Sequence, residues 1–216
     1  NLNGKVISVV IFLVFVFIAV CFAVNFIDNT YKLPPEPNAR VNDSTLLGID
    51  TNDNDVRDDV ERWIYQTYDT YTPCIEQDIS VESSSGEFYT TVIKECNGAP
   101  VPYHPIVREL AMQYAKTYQI ILQDPKNYRK NIELEDAAYY CNRYFTSGVD
   151  EVKKSVFIDP TIVSKLKAVQ FNTQNRINAY ETYTAQLKGT VYELEQEYYK
   201  KYCDFNVDTL LTQNNG

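Results

Sequence analysis

An apolar run near the N-terminus constrains this chain more than any other feature of its sequence. It covers residues 6–24, a stretch in which Ser8 is the only polar residue. Because an α-helix rises about 1.5 Å per residue, a helix of this length crosses a hydrocarbon core of about 30 Å. Lys5 precedes the run and Asp28 follows it, and this charge difference keeps the N-terminus in the cytoplasm. We therefore expect residues 1–27 to form a single transmembrane anchor.

Two other interpretations of this segment remain open. A cleaved signal peptide would export the same domain, although the apolar region of a signal peptide is normally about 7 to 15 residues long. Cys21 suggests a lipid anchor, but Val20 stands before it, where a small residue is expected. All three interpretations place the remainder of the chain in the periplasm or outside the cell. An uncleaved anchor also places the protein in the inner membrane, with a single pass.

A proline-containing segment separates the apolar run from the rest of the chain. Pro34, Pro35 and Pro37 favour extended polyproline geometry, which would lift a domain away from the bilayer. We therefore expect residues 28–47 to form an extended linker and residues 48–216 to form the folded domain. The hydrophobic fraction of 44% is sufficient for this domain to have a packed core.

The strongest chemical motif is an acidic loop at residues 50–61, in which six acidic residues accompany one arginine. Calcium takes about six to eight oxygen ligands, and a twelve-residue loop supplies them from positions 1, 3, 5, 7, 9 and 12. Those positions hold Asp50, Asn52, Asn54, Val56 through its carbonyl, Asp58 and Glu61. The loop runs directly into a helical pattern, in which Val56, Val60 and Ile64 recur every four residues. We therefore predict that these six residues bind Ca2+ at the start of the first helix of the domain.

One position departs from the usual calcium loop. Position 6 normally requires glycine for a sharp turn, and here it is Asp55. Aspartate adopts positive φ more readily than most residues, but at some cost in energy, so we expect weak binding suited to extracellular calcium. Magnesium fits the pattern poorly because it prefers rigid octahedral sites. The alternative interpretation is an acidic helix N-terminus that the helix dipole favours without any ion.

The acidic loop resembles the calcium-binding loops of thrombospondin type 3 repeats and of many bacterial surface proteins. A wider resemblance rests on LPPEPN, TLLGIDTNDNDVRDDVERWI, NTQNRINAYETYTAQLKGTVYEL and CDF. Together these stretches resemble a family of uncharacterised exported bacterial proteins. The resemblance implies a location in the cell envelope, and it implies no activity.

The cysteines beyond the apolar run indicate disulfide bonds. There are four of them, Cys74, Cys96, Cys141 and Cys203. An even number is typical of exported chains with disulfides, and four cysteines allow three connectivities. We favour Cys74–Cys96, which would close an irregular segment, and Cys141–Cys203, which would join a helix to the end of the chain. Zinc is the competing interpretation, but the chain has no C-x-x-C pair and only one histidine.

The periodicity of the remaining chain predicts a mainly α fold. Helical patterns cover residues 105–124, 134–145, 161–187 and 193–202, while residues 79–81 and 88–93 are suited to a hairpin. Pro105 is well placed as the first residue of a helix. The simplest architecture is an extracytoplasmic helix bundle with a small β-hairpin insertion, attached to one transmembrane helix.

Composition and motifs argue against several functions. The net charge of −9 makes nucleic acid an unlikely partner, because phosphate contacts need clustered lysine and arginine. No nucleophile elbow, phosphate-binding loop or zinc-protease motif is present. His104, the single histidine, is better suited to a helix start than to catalysis. No pair of acids, for example Glu133 and Glu135, is singled out for glycoside hydrolysis. We therefore do not expect an enzyme.

Three classes of function remain. The first is a calcium-stabilised binding module that recognises a ligand or a protein partner in the cell envelope. The second is a structural or assembly subunit of a membrane-bound complex, and the third is an unrecognised hydrolase. The 18 tyrosines are explained either as amphipathic rings at the margins of helix packing or as a surface for a ligand or partner.

Overall fold

Helices dominate the part of the chain that the structure describes, and four strands accompany them there. This computed structural model describes residues 31–73, 75–82, 88–96, 98–147, 156–188 and 200–212, together with Val9 and Ile27. The helices within these ranges are α1 (Ala39–Asn42), α2 (Asp58–Thr67), α3 (Pro105–Gln123), α4 (Tyr128–Thr146), α5 (Ile162–Gln170), α6 (Gln174–Gln186) and α7 (Val207–Thr212). The strands are β1 (Thr70–Tyr71), β2 (Ile75–Glu82), β3 (Phe88–Glu95) and β4 (Val101–Pro102). The predicted mainly helical class with a small antiparallel hairpin is confirmed.

Three predictions lie wholly or partly outside the described residues. The first is the predicted anchor at 6–24, of which the structure describes only Val9. No helix within the described ranges is both long and apolar enough to cross a bilayer. The predicted helix at 193–202 is described only in its last turn, which is a 3-10 helix, Lys200–Tyr202. Cys74 also lies outside the described residues, so its pairing with Cys96 stays a prediction.

The chain divides into a helical unit, residues 1–66 and 104–216, and a smaller unit, residues 67–103. Helix α3 forms the centre of the helical unit and packs against α4, α5, α6 and α7. Most of its surface is buried, and only a narrow stripe that includes Lys116 and Gln123 is partly exposed. The residues of α3 that are no more than 1% exposed are Ile106, Val107, Leu110, Ala111, Ala115, Tyr118, Ile121 and Leu122.

The region predicted as one long helix at 161–187 is in fact two helices. Helix α5 ends at Gln170, and α6 begins at Gln174 with Thr173 as its N-cap. The Thr173 side chain accepts a hydrogen bond from the backbone N–H of Arg176, which is the usual way a threonine starts a helix. The break leaves the last carbonyls of α5 free to accept hydrogen bonds from other parts of the chain.

A disulfide between Cys141 and Cys203 joins helix α4 to the C-terminal segment, as predicted. Cys141 is fully buried, and the two cysteines are 62 residues apart in sequence. The neighbouring contacts reinforce this connection. The Gln113 side chain donates a 2.7 Å hydrogen bond to the carbonyl of Tyr202, and the rings of Tyr140 and Tyr202 lie 5.1 Å apart.

The smaller unit contains both strand pairs, each antiparallel. Strands β2 and β3 form the predicted hairpin, in which Ile79 lies opposite Thr91, and the hairpin is longer than the sequence indicated. Strand β1 pairs with β4, and the backbone N–H of Tyr103 donates a 3.0 Å hydrogen bond to the carbonyl of Asp69. Cys96 follows β3 and is disulfide-bonded. Ile75 pairs with Glu95.

The segment predicted as an extended linker at 28–47 is attached to the helical unit. Arg62 of α2 is buried, and its guanidinium bonds the carboxylate of Glu36 and the carbonyl of Pro34. The one-turn helix α1 follows, and its last residue, Asn42, is also buried. The prolines do give a stretch without regular structure, but buried polar contacts hold this stretch against the helices.

Candidate functional site

The acidic loop folds as a closed turn that leads directly into helix α2. The backbone N–H of Asp58 donates a 2.8 Å hydrogen bond to the carbonyl of Ile49, which brings the two ends of the loop together. Three acids, Asp58, Asp59 and Glu61, lie in the first turn of α2, where the helix dipole favours negative charge. Local sequence determines this arrangement, because acidic residues are favoured at a helix start and disfavoured at a helix end.

Three of the predicted calcium ligands meet at one carboxylate oxygen. The side-chain amide of Asn52 donates a 3.1 Å hydrogen bond to Oε2 of Glu61, and the amide of Asn54 donates a 2.8 Å bond to the same atom. Glu61 is only 7% exposed. Positions 3, 5 and 12 of the loop are therefore side by side, as a calcium loop requires.

The two aspartates of the predicted set lie inside the same loop. The carboxylate of Asp50 accepts hydrogen bonds from the backbone N–H groups of Asn54 and Asp55, at 3.3 and 3.0 Å. Oδ1 of Asp58 accepts a 2.9 Å bond from the N–H of Thr51, whereas its Oδ2 is buried and has no hydrogen-bond partner. A buried carboxylate oxygen without a partner is costly, and a cation would remove this cost.

The backbone of the loop adopts the strained conformation expected at position 6. Asp55 has φ of 64°, in the left-handed region that favours glycine, and Asp53 has φ of 52°. The predicted positive φ at Asp55 is therefore confirmed. Both residues are aspartates, which tolerate this region better than β-branched or bulky residues do.

The carbonyl of Val56, the sixth predicted ligand, lies at the junction of loop and helix. The N–H groups of Val60 and Glu61 both donate 2.9 Å bonds to the carbonyl of Arg57, so these bonds do not use the carbonyl of Val56. Within the described ranges, no three His, Cys, Asp or Glu side chains converge as a metal-binding group. The predicted set of six calcium ligands accordingly includes amide and backbone oxygens as well as carboxylates.

Arg57 anchors the loop to the helical unit, a role that the sequence did not predict. Its side chain is fully buried and forms an ion pair with Asp59. Its guanidinium also donates bonds of 2.9 and 3.1 Å to the carbonyls of Val169 and Gln170, at the C-terminal end of α5. A cation is favoured at this end of a helix dipole. The available sequence signal was a lone arginine among six acids.

A second buried arginine, Arg176 of α6, holds the segment that leads into the loop. Its Nη2 donates bonds of 2.7 and 3.2 Å to the carbonyls of Asn42 and Thr45, and its Nε donates a 3.0 Å bond to the carbonyl of Leu46. Burial lowers the pKa of Arg176, and the nearby Arg57 lowers it further. Arg57 therefore holds the acidic loop, and Arg176 holds the segment that precedes it.

A separate cavity of about 790 Å³ opens between α3, α4 and α5. Its walls include the aromatic side chains Tyr114, Tyr118 and Tyr139 and the polar side chains Glu135, Asp136 and Asn142. Cavities that bind small molecules have volumes of about 300 to 1,000 Å³. The sequence left open whether its tyrosines serve helix packing or ligand contact. Three of them, Tyr114, Tyr118 and Tyr139, line a cavity whose volume suits a small ligand. We will call it the tyrosine cavity.

The two neighbouring acids of this cavity differ in their partners. The hydroxyls of Tyr180 and Tyr183 donate bonds of 3.1 and 2.9 Å to Glu135, and Lys167 Nζ lies 3.6 Å from the same carboxylate. Asp136 forms no hydrogen bond or ion pair with any residue that the structure describes. Burial, and then repulsion from Glu135, raise the pKa of Asp136.

The residues considered for catalysis are not brought together. His104 is the N-cap of α3, where its Nδ1 accepts a 3.2 Å bond from the N–H of Ile106, so the predicted helix-start role is confirmed. Burial, and then the positive charge of Arg108, lower the pKa of His104. Glu133 is exposed, whereas Glu135 lines the tyrosine cavity. These acids therefore do not face a common space.

Comparison with known proteins gives no relative for this chain. No protein-family description, no curated protein and no solved structure matches it.

Proposed function

We propose that this protein is a membrane-anchored binding module of the cell envelope, and that calcium bound to residues 50–61 stabilises its domain. The observation that carries the proposal is Oδ2 of Asp58, a buried carboxylate oxygen in this loop that has no hydrogen-bond partner. An ion with a preference for oxygen is the simplest partner for that atom. The resemblance to thrombospondin type 3 loops supports the same ion.

The charge distribution in the loop supports a cation. The loop holds six acids and one arginine, which leaves five net negative charges in a short segment. The guanidinium of Arg57 pairs with Asp59, which is not among the six proposed ligands. The carboxylates of Asp50, Asp58 and Glu61 therefore remain for the ion, and repulsion among them would otherwise oppose folding.

The amide groups of the loop would change partners when calcium binds. Asn52 and Asn54 now direct their N–H donors to Glu61. An amide that rotates about its terminal bond presents its carbonyl oxygen in place of its nitrogen. These two oxygens, the three carboxylates and the Val56 carbonyl would supply the six ligand groups. We therefore expect these two amides to rotate, and the three carboxylates to move closer together, when calcium binds.

Thermal unfolding tests the calcium site directly. Calcium added to the 216-residue chain in detergent should raise the melting temperature above that measured with chelator, because the ion binds only the folded state. Asp50→Ala combined with Glu61→Ala should abolish this response. Asp53→Asn is the matched control, since it removes one loop charge at a position that is not a ligand, and it should retain the response. Equal melting temperatures with calcium and with chelator would refute the site.

The proposed role of calcium is structural. One loop is present, whereas calcium sensors open a pair of helices. Bound calcium should fix the start of α2 and the buried positions of Val60 and Ile64. Hydrogen exchange should therefore show protection gained mainly in residues 48–70. Large changes spread through residues 161–202 would indicate a long-range switch and contradict the structural role.

The cellular location follows from the predicted anchor and is supported by the cysteines. The Cys141–Cys203 bridge is typical of proteins that fold in an oxidising compartment. The domain should therefore lie outside the cytoplasm, where millimolar calcium is also available. Protease added to intact spheroplasts should degrade the domain and spare residues 6–24. Protection of the domain in intact spheroplasts would contradict this topology.

A further inference from the structure

We infer that the tyrosine cavity binds a small organic cation, whose ammonium group pairs with Asp136 and whose apolar body lies on the rings of Tyr114 and Tyr139. This inference rests on the proposed binding function, for which it names a class of ligand. It does not require calcium to be the ion in the acidic loop. The cavity lies between α3, α4 and α5, away from residues 50–61 in sequence.

Among the residues that the structure describes, the charges around the cavity leave the carboxylate of Asp136 without a counter-ion. Lys167 is the basic residue of the lining, and its Nζ donates a 2.6 Å bond to the hydroxyl of Tyr180. Tyr180 in turn donates to Glu135, which also lies 3.6 Å from Lys167. Lys167 therefore neutralises Glu135, and Asp136 remains with its negative charge. A cation that enters the cavity would pair with Asp136 in a partly dehydrated setting, where ionic contacts are strong.

The free hydrogen-bonding atoms of the cavity match a ligand that donates hydrogen bonds. Oδ1 of Asn142 is buried and has no partner, and the same is true of the hydroxyl of Tyr118, whose side chain is fully buried. An amide oxygen and a carboxylate only accept hydrogen bonds. A primary ammonium carries three N–H donors and so can bond a carboxylate such as that of Asp136. An anionic ligand would be repelled by Asp136, and Lys167, the basic residue of the described lining, is already paired with Glu135.

The aromatic walls favour the same chemistry. The ring of Tyr118 already faces a cation, since Lys167 Nζ lies 5.3 Å from its centroid. The rings of Tyr114 and Tyr139 also line the cavity. The faces of tyrosine rings attract ammonium groups, most strongly where water is excluded. Rings beside a carboxylate therefore form a site that accepts the apolar body and the charge of one amine.

Calorimetric titration of the 216-residue chain in detergent tests the inference. 2-Phenylethylammonium is the probe, and phenylacetate, which has a similar size and the opposite charge, is the comparison. The amine should bind saturably and phenylacetate should not. Equal binding of the two, or no saturable binding of the amine, would overturn the inference.

Variants test whether Asp136 is the partner of the amine. Asp136→Asn keeps the shape of the side chain and should weaken amine binding by about tenfold or more. Glu133→Gln removes one charge from an exposed position of the same helix and should leave binding unchanged. Melting curves confirm that both variants fold. Equal weakening in the two variants would show a general charge effect and would refute the site.

The titration separates this inference from the calcium proposal. Each titration is repeated with calcium and with chelator, alongside the melting measurements on residues 50–61. Amine binding without any calcium response would refute the calcium site and retain the cavity. A calcium response without amine binding would refute the cavity and retain the calcium site.

Discussion

The guanidinium of Arg57 donates a 3.1 Å hydrogen bond to the carbonyl of Gln170, a residue 113 positions further along the chain. Arg57 thereby connects the acidic loop to the end of helix α5. The bond exists because α5 ends at Gln170 and leaves its last carbonyls unpaired. A buried arginine thus stabilises both a helix end and the loop that carries the candidate calcium ligands.

Replacement of Arg57 should destabilise the helical unit strongly. Arg57→Leu leaves Asp59 and the carbonyls of Val169 and Gln170 without their partner, so we expect a loss of about 3 to 5 kcal/mol in the free energy of unfolding. Urea denaturation measures this loss. Arg40→Leu changes an exposed arginine of α1 and should alter stability by less than about 0.5 kcal/mol. Similar losses in both variants would contradict the anchoring role.

Gly48 should not tolerate a side chain. It has φ of 73°, and a Cβ built on it would lie 2.2 Å from Cδ of Arg57 and 2.6 Å from Oδ1 of Asn42. Both neighbours are held in place by hydrogen bonds, so Gly48→Ala should cost about 2 kcal/mol or more. Gly98→Ala is the control, because the nearest atom to its added Cβ would be 3.7 Å away. Thermal unfolding of the two variants should separate them clearly, and equal melting temperatures would show that the site can relax.

The Cys141–Cys203 bridge should contribute substantially to stability. It closes a loop of 62 residues, and replacement of both cysteines by alanine should lower the free energy of unfolding by about 2 to 4 kcal/mol. The double variant also separates this bridge from the one formed by Cys96. A reductant should then have a smaller further effect on the variant than on the wild type. An unchanged denaturation midpoint in the variant would contradict a stabilising role.

His104 should make stability depend on pH near neutrality. Burial, and then Arg108, lower its pKa in the folded state, so the unfolded chain binds the proton more tightly. Stability should therefore be complete above a pH of about 6.5, the pKa of unfolded histidine, and should fall as pH decreases below it. This is the single histidine of the chain, so no other imidazole obscures the effect.

Two replacements separate the charge of His104 from its capping role. His104→Asn keeps a cap acceptor but cannot titrate, and its stability should be flatter than that of the wild type between pH 7 and about 5.5. His104→Ala also loses the bond to Ile106 and should cost about 1 kcal/mol even at pH 8. Melting temperatures over this pH range provide the measurement. Parallel pH profiles for wild type and His104→Asn would exclude the imidazole as the source.

Several features follow from local sequence because neighbouring residues determine them. The His104–Pro105 pair predicts the start of α3, since proline suits the first helical turn. The β-prone stretches at 79–81 and 88–93 predict the hairpin, because strand pairing across a short connection depends on nearby residues. The positive φ of Asp55 likewise follows from the loop pattern. The Cys141–Cys203 bridge is not local, but four cysteines allow only three connectivities, and one of them contains this bridge.

Other features were decided by contacts between distant parts of the chain. The apolar period of residues 161–187 continues through Thr173, so periodicity alone did not reveal the break between α5 and α6. The carbonyls near that break accept hydrogen bonds from Arg57, and Arg176 bonds the segment at 42–46. Charged side chains are predicted to be exposed unless a partner is known, and here the partners are 112 to 134 residues away.

The tyrosine cavity also required the tertiary structure. Its lining comes mainly from α3, α4 and α5, with Leu187 at the end of α6, and each of these three helices separately shows an amphipathic pattern that fits ordinary core packing. Sequence alone predicted that the tyrosines were amphipathic, but only the packing of three helices determined which rings remain beside open space. Local patterns specify which faces are buried, whereas the shape left between those faces depends on every helix that meets there.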